Sequence, residues 1–119
     1  MAHDPKNPIK LFHHMAIDVS DMDVSIKFYR QLFGYKLSER HEAGEVEAIQ
    51  VELAFLRIQN NHHDMVLSHT PGKNYRARNE QDDIEGTTLF HHLAWQCQDH
   101  DAWLEMQERV KEMGIEVIR

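Results

Sequence analysis

The 119-residue chain lacks several features that would place it in a specialised class of protein. Cys97 is its one cysteine, so no internal disulfide can form, which fits a reducing cytoplasm. No apolar run reaches the length of a membrane span, and the polar N-terminus has no hydrophobic signal segment. Basic charge is also in deficit: the net charge of −7 argues against nucleic-acid or anionic-membrane partners. We therefore expect a cytoplasmic protein.

A repeated tetrapeptide organises what the chain does contain. The residues LFHH at 11–14 recur at 89–92, and the likeness continues through LFHHMAIDVSDMD and LFHHLAWQCQDHD. Each copy leads from a strand-like run into a helix-like run, which predicts two related modules. Hydrophobic residues make up 41% and charged residues 28% of the chain, as in an ordinary globular domain.

Strand alternation separates the two histidines of each repeated pair. His13 shares a face with Ile17 and other apolar residues, which predicts packing against a helix. His14 and, in the second copy, His92 lie on the polar face beside a small alanine, where an ion has room. Half-exposed histidines are common in strands. Two pairs in register nevertheless favour a shared metal ion, because neutral imidazole is the commonest metal ligand.

The order of the predicted elements divides the chain into a complete and an incomplete unit. The first copy contains a strand at 11–19, a helix that Ser20 or Asp21 can cap and Gly34 ends, and strands at 35–40, within 46–59 and at 62–69. The second contains a strand from Thr87, a helix at about 99–113 and a strand at 115–118. The predicted division is a polar lead-in at 1–10, a first module at 11–70, a linker at 71–86 and a second module at 87–119.

The second copy is either naturally short or cut off. We favour a fragment of a longer protein, because an ending in a strand-like run leaves backbone groups without partners.

This pattern resembles the vicinal oxygen chelate superfamily, which includes glyoxalase I, fosfomycin-resistance thiol transferases, bleomycin-binding proteins and extradiol dioxygenases. The segment HHMAIDVSDMDVSIKFYRQLFGYKL is similar to that family's opening strand and helix. Two others, AFLRIQNNHHDMVL and LFHHLAWQCQD, are similar to its extradiol ring-cleavage branch. The resemblance implies an α+β fold of βαβββ modules, the second apparently truncated, with the sheets forming a cup inside the helices.

The resemblance also implies site residues. His14 and His92 match the two histidine metal ligands, and His63, directly before Asp64, matches the active-site acid–base histidine. Such a site holds Fe(II), with Mn(II) as the alternative, through two histidines and a carboxylate. The carboxylate ligand has no position here, so we expect the 119-residue chain alone to be inactive. Five further histidines are interpreted as structural or surface groups: His13, His41, His62, His69 and His91.

The implied function is extradiol ring cleavage of a catechol-type substrate. Its expected partners are a small aromatic molecule, dioxygen and further copies of the chain, as a homodimer or higher homo-oligomer. One alternative is a metal-free binding module, which predicts no ordered metal between the two repeated strands. Another is a glyoxalase or thiol-transferase type of metalloenzyme, which predicts a carboxylate in place of His63.

Overall fold

Four strands and one helix form a βαβββ unit in the first half of the chain, and a second helix follows it. The computed structural model describes residues 6–75 and 92–118. Within these ranges no helix is both long and apolar enough to cross a membrane. The combination of strands and helices makes the fold mixed α+β, as predicted. The elements in chain order are β1 (Met15–Asp18), α1 (Met22–Phe33), β2 (Lys36–His41), β3 (Glu52–Arg57), β4 (Met65–His69) and α2 (His100–Glu112).

The four strands form one sheet in the order β1-β4-β3-β2. The strands β2, β3 and β4 follow one another as antiparallel neighbours, whereas β1 pairs with β4 in parallel. A parallel pair needs a long connection between its strands, and here α1, β2 and β3 supply it. The consequence for the site is that β1 and β4 begin at the same edge of the sheet.

The helix α1 covers one face of this sheet and forms the core with it. Asp21 caps its first turn, accepting a hydrogen bond from the backbone N–H of Val24 at 3.0 Å. Gly34 ends it in the left-handed conformation at φ 78°, which glycine adopts without strain. These helix ends confirm the predicted ones. The buried residues of the core are Met22, Ile26, Tyr35, Ala54, Leu56, Met65 and Leu67.

Two strands are shorter than predicted, and the difference affects the histidines. The strand predicted at 11–19 is confined to Met15–Asp18, and the one predicted at 62–69 begins at Met65. A strand extends only as far as a neighbour pairs with it, and Met15 and Met65 are the first paired residues of β1 and β4. Both histidine pairs therefore lie in the segments that lead into the strands. The prediction that Ile17 packs against the helix is confirmed.

The second copy forms its helix but not its strands in the described part of the chain. The helix α2 forms close to its predicted position and is capped by Asp99. Residues 92–97 and 115–118 have no strand neighbour and form none, and the linker and repeat at 76–91 lie outside the described residues. The division into modules and linker stays a prediction.

The apolar face of α2 is only partly buried. No residue of α2 is fully buried, and the Trp103 side chain is half exposed. The reason is that, within the described ranges, α2 contacts α1 and no strand of the sheet. Arg109 donates a hydrogen bond to the Leu32 carbonyl at 3.3 Å, and Trp95 stacks on Phe33 with ring centroids 4.0 Å apart.

Candidate metal centre

The parallel pairing of β1 and β4 brings two histidine pairs to one edge of the sheet. Met15 of β1 is in register with Met65 of β4. The pair His13-His14 directly precedes the first methionine, and His62-His63 precedes the second by one further residue. Because parallel neighbours enter a sheet at the same edge, the two segments run side by side there.

Three imidazoles form a cluster at this edge, from His13, His14 and His63. The Nδ1 atoms of His13 and His14 lie 2.8 Å apart, so one ring donates an N–H to the other. The ring centroid of His63 is 4.5 Å from that of His14 and 5.2 Å from that of His13. One ligand nitrogen from each residue lies within 4.8 Å of the other two, and no other set of three in the described ranges meets this distance.

The imidazole nitrogens of the cluster are suitable ligands for a transition-metal ion, and the distances between them are close to those around a bound ion. Nitrogens bound at roughly 2 Å from one ion stand about 3 to 3.5 Å apart. The observed spread of up to 4.8 Å is somewhat wider. His13 and His14 are exposed, so a modest rotation of their side chains can close the difference. Imidazole donors suit iron and zinc better than they suit manganese or magnesium, which prefer oxygen.

Asp64 holds His63 in place by closing the loop between β3 and β4. Its carboxylate accepts the Ile58 backbone N–H at 2.9 Å, and its own N–H donates to the Leu56 carbonyl at 2.9 Å. Its carbonyl accepts the Met15 N–H at 3.4 Å, which links the loop to β1. The loop is therefore fixed at both ends, and the backbone of His63 is fixed with it.

A chain of alternating imidazoles and carboxylates continues from His63 across the sheet. The Nδ1 atoms of His63 and His62 lie 2.8 Å apart. Nε2 of His62 lies 3.2 Å from one oxygen of Glu39, and Nε2 of His41 lies 3.3 Å from its other oxygen. Nδ1 of His41 is in turn 3.5 Å from the carboxylate of Glu45. Of these contacts only the one between His62 and His63 is a hydrogen bond, and Nδ1 of His41 is buried without a hydrogen-bond partner among the described residues.

An aromatic side chain of β3 stands next to the cluster. The ring centroid of Phe55 lies 5.0 Å from that of His63 and 5.5 Å from that of His62. Phe55 is only partly buried. An apolar ring surface thus adjoins the imidazoles.

The surroundings of His63 favour its neutral form. Burial of the ring lowers its pKa, and the neighbouring imidazoles of His14, His62 and His13 lower it further, against a smaller opposing effect of Asp64. A neutral imidazole carries one lone pair, with which it can bind an ion or accept a proton.

The structure places the three predicted site residues differently. It brings His14 and His63 together, and it adds His13, which the sequence had assigned to the apolar layer. That assignment was wrong because His13 precedes the strand, where alternation does not apply. The signal available in the sequence was that a His-His pair precedes both Met15 and Met65. His92 is exposed and lies outside the three-histidine cluster, so its role as second ligand stays a prediction.

A second polar cluster surrounds Asp18 at the opposite end of β1. Its carboxylate accepts hydrogen bonds from Lys73 at 2.5 Å, Tyr75 at 2.9 Å and Ser68 at 3.2 Å. Burial raises the pKa of the Asp18 carboxyl, but the hydrogen bonds from Lys73, Tyr75 and Ser68 together have the larger effect. The pKa of Asp18 is therefore lowered. These hydrogen bonds hold residues 70–75 against the sheet. The nearby imidazole of His69 is hydrogen-bonded through Nδ1 to the Val19 carbonyl at 2.8 Å.

Comparison with known proteins places the chain among proteins of one superfamily. The family model that matches residues 11–119 is that of the Glyoxalase/Bleomycin resistance protein/Dioxygenase superfamily. No curated protein sequence matches the chain significantly.

Solved structures of one protein share the fold. They are of the fosfomycin resistance protein FosX from Listeria monocytogenes. A variant with Mn(II) and 1S,2S-dihydroxypropylphosphonic acid, and the protein with Mn(II) and sulfate, each have a TM-score of 0.64. Both are 18% identical to this chain over 93% of its length, and 75% and 77% of the FosX chains are covered. A monoclinic form at pH 5.75 has a TM-score of 0.62 at 18% identity, covering 91% of this chain and 73% of that chain.

Proposed function

The chain belongs to the glyoxalase/bleomycin resistance/dioxygenase superfamily, and from this premise we propose that it is the metal-bearing part of an extradiol ring-cleaving dioxygenase. The substrate class we propose is a 2,3-dihydroxylated aromatic, opened with dioxygen. The observation that carries the proposal is the meeting of His14 and His63 at the shared edge of β1 and β4. An acid–base group must lie this close to a metal ligand if it is to exchange protons with a substrate bound at the ion.

His14 would hold the metal ion in this site, with His92 as the predicted second ligand. Fe(II) is the ion we propose, because the cluster supplies imidazole nitrogens, which suit iron better than manganese. When bound, the ion would supply Lewis-acid and redox chemistry toward the substrate and dioxygen. Mn(II) is the alternative, since it occurs in the FosX structures of the same fold.

His63 would transfer protons beside the ion. Its lowered pKa keeps the ring neutral near pH 7, so it can accept the proton of a substrate hydroxyl and return it later. The closed loop at Asp64 fixes the position from which it acts. Help of this kind typically speeds a reaction about 10²- to 10⁴-fold.

Phe55 supports an aromatic substrate. Its partly buried ring adjoins His63, so a substrate ring that presents a hydroxyl to the imidazole can pack against it. A small phosphonate would gain nothing from this surface. We also propose a homodimer or higher homo-oligomer, supported by the half-exposed apolar side chains of α2, Trp103 and Leu104.

A fosfomycin-resistance type of metalloenzyme is the second candidate. It is favoured by the three FosX structures, which share the fold over more than nine-tenths of the chain. A metal-free binding module is the third. Because the identity to FosX is 18%, that likeness concerns the fold and leaves the reaction to be tested.

The test uses the protein expressed from its complete natural reading frame and purified without oxygen. Metal content is measured first. Oxygen uptake and the visible absorbance of the ring-opened product are then followed with a panel of 2,3-dihydroxylated aromatics. We expect bound iron and turnover of at least one catechol. Turnover of fosfomycin with Mn(II), and none of any catechol, would instead support the second candidate. Binding of small molecules without metal would support the third.

A matched pair of variants assigns the role of the histidine. His63→Gln removes one imidazole of the cluster, whereas His100→Gln removes one that stacks on Trp103 in α2, away from the site. We expect only the first to lose catechol turnover. Normal turnover by His63→Gln would show that this residue has no acid–base role.

A further inference from the structure

We propose that Glu39 is a positioning residue that fixes the tautomer of His63 through His62, leaving the lone pair of His63 on Nε2. This inference rests on the proposed function for its catalytic consequence, but the tautomer itself can be measured without turnover. The three residues form a continuous series, in which a hydrogen bond joins the two imidazoles and the Glu39 carboxylate lies at ion-pair distance from His62.

The first step follows from the chemistry of a carboxylate. An ionised carboxylate can only accept hydrogen bonds. The oxygen Oε2 of Glu39 lies 3.2 Å from Nε2 of His62, and an N–H at that nitrogen is attracted to the carboxylate, whereas a lone pair there would be repelled by it. When His62 is neutral, its lone pair is therefore on Nδ1.

The second step passes this assignment to His63. The two Nδ1 atoms are 2.8 Å apart, and a lone pair on His62 requires an N–H on His63. Neutral His63 then carries its lone pair on Nε2, the nitrogen that Nδ1 bonding to His62 leaves open. Without Glu39, either ring could donate in this pair, and the lone pair of His63 would be divided between its two nitrogens.

The backbone of β2 places Glu39 for this role. The pairing of β2 with β3 shifts between Leu37 and Glu39, and irregularities of this kind redirect side chains. Phe55, which pairs with Glu39, contacts both His62 and His63. The second oxygen of Glu39 lies 3.3 Å from Nε2 of His41, so the carboxylate stands between two imidazoles.

Stability alone gives little reason for this arrangement. The side chains of Glu39 and His62 are 46% and 53% exposed, and ion pairs this exposed add little to the free energy of unfolding. A purely structural role therefore predicts no effect on the proton positions of His63, whereas the positioning role predicts a large one. These expectations separate the two roles.

The experiment measures imidazole tautomers by long-range ¹H–¹⁵N NMR at about pH 8, where an ordinary imidazole is neutral. The metal-stripped protein and the variant Glu39→Ala are compared. Glu39→Gln keeps an oxygen that can accept the same N–H. Glu42→Ala is the charge-matched control, because Glu42 lies 3.9 Å from Arg40 and is not part of the series.

We expect wild-type His63 to carry its hydrogen on Nδ1. Glu39→Ala should give a mixture of tautomers at His62 and His63, Glu39→Gln should restore the wild-type pattern, and Glu42→Ala should not change it. The denaturation midpoint should stay the same in all four proteins. A hydrogen on Nε2 of wild-type His63, or unchanged tautomers in Glu39→Ala, would overturn the proposal.

Turnover of a catechol gives the second readout. Loss of a group that orients a catalytic imidazole typically costs about 10- to 100-fold, and here we expect it in kcat with little change in KM. An unchanged kcat in Glu39→Ala, despite altered tautomers, would remove the positioning role. If the wild type converts no catechol, the dioxygenase proposal fails, and the NMR result still decides the tautomer.

Discussion

Substitution of Asp64 by alanine should loosen the loop that carries His63 at a small cost in overall stability. Its carboxylate accepts the Ile58 N–H at 2.9 Å, a good bond to a charged acceptor. The second bond, from Gln59, is 3.5 Å long and contributes little. In a partly exposed loop, the first bond contributes about 1 to 2 kcal/mol to the free energy of unfolding, as helix-capping carboxylates do. With a urea dependence of about 1.5 to 2 kcal/mol per molar, the midpoint should fall by roughly 0.5 to 1.3 M.

The consequence for the site should exceed the consequence for stability. Urea unfolding followed by circular dichroism gives the first quantity, and turnover of a catechol, measured beside the bound iron, gives the second. We expect Asp64→Ala to remain folded, to retain the iron and to lose about tenfold in turnover, because His63 is no longer fixed. Asp64→Asn keeps an oxygen that can accept the Ile58 N–H and should stay close to the wild type. Equal turnover in wild type and Asp64→Ala would refute the idea that this loop positions His63.

Three further predictions concern the site, the Asp18 cluster and the core. In the protein from the complete reading frame, His14→Ala or His92→Ala should abolish bound iron. His63→Ala should instead retain the iron and lose about 10²- to 10⁴-fold in turnover. Metal analysis beside a catechol assay checks both outcomes. The lowered pKa of Asp18 stabilises the fold above the unfolded value of about 3.9, and this contribution disappears as pH falls through the folded value. The stability difference between wild type and Asp18→Asn should thus be constant above about pH 5 and shrink in acid, as urea unfolding at several pH values would show. Leu67→Ala removes a fully buried side chain and should cost about 2 to 5 kcal/mol, which thermal unfolding would detect.

Features set by neighbours in sequence were the predictable part of this fold. Asp21 and Gly34 mark the ends of α1 through local hydrogen bonds and backbone conformation, and both act as predicted. The cap of α2 by Asp99 follows the same rule. The strand starts were predicted too early, because they depend on where Met15 meets Met65 across fifty residues of chain.

The cluster needed information that no local pattern contains. His14 and His63 were identified separately, one from the repeat and the other through the family resemblance, and their meeting depends on the parallel pairing of β1 and β4. His13 was misassigned because alternation was applied to a residue outside the strand. The series from Glu39 to His63 could not be predicted, since it joins β2 to the β3–β4 loop through side-chain orientations.

The closed loop between Ile58 and Asp64 has a consequence for how this sequence can change. Surface loops usually tolerate insertions and deletions because nothing depends on their length. Here Asp64 bonds to Ile58 at one end and to Met15 at the other, so one residue more or fewer would displace His63 by roughly 3.3 Å relative to His14. Variation in length should therefore be accepted between β2 and β3, where no cluster residue lies, and rejected in this loop, although both are at the surface.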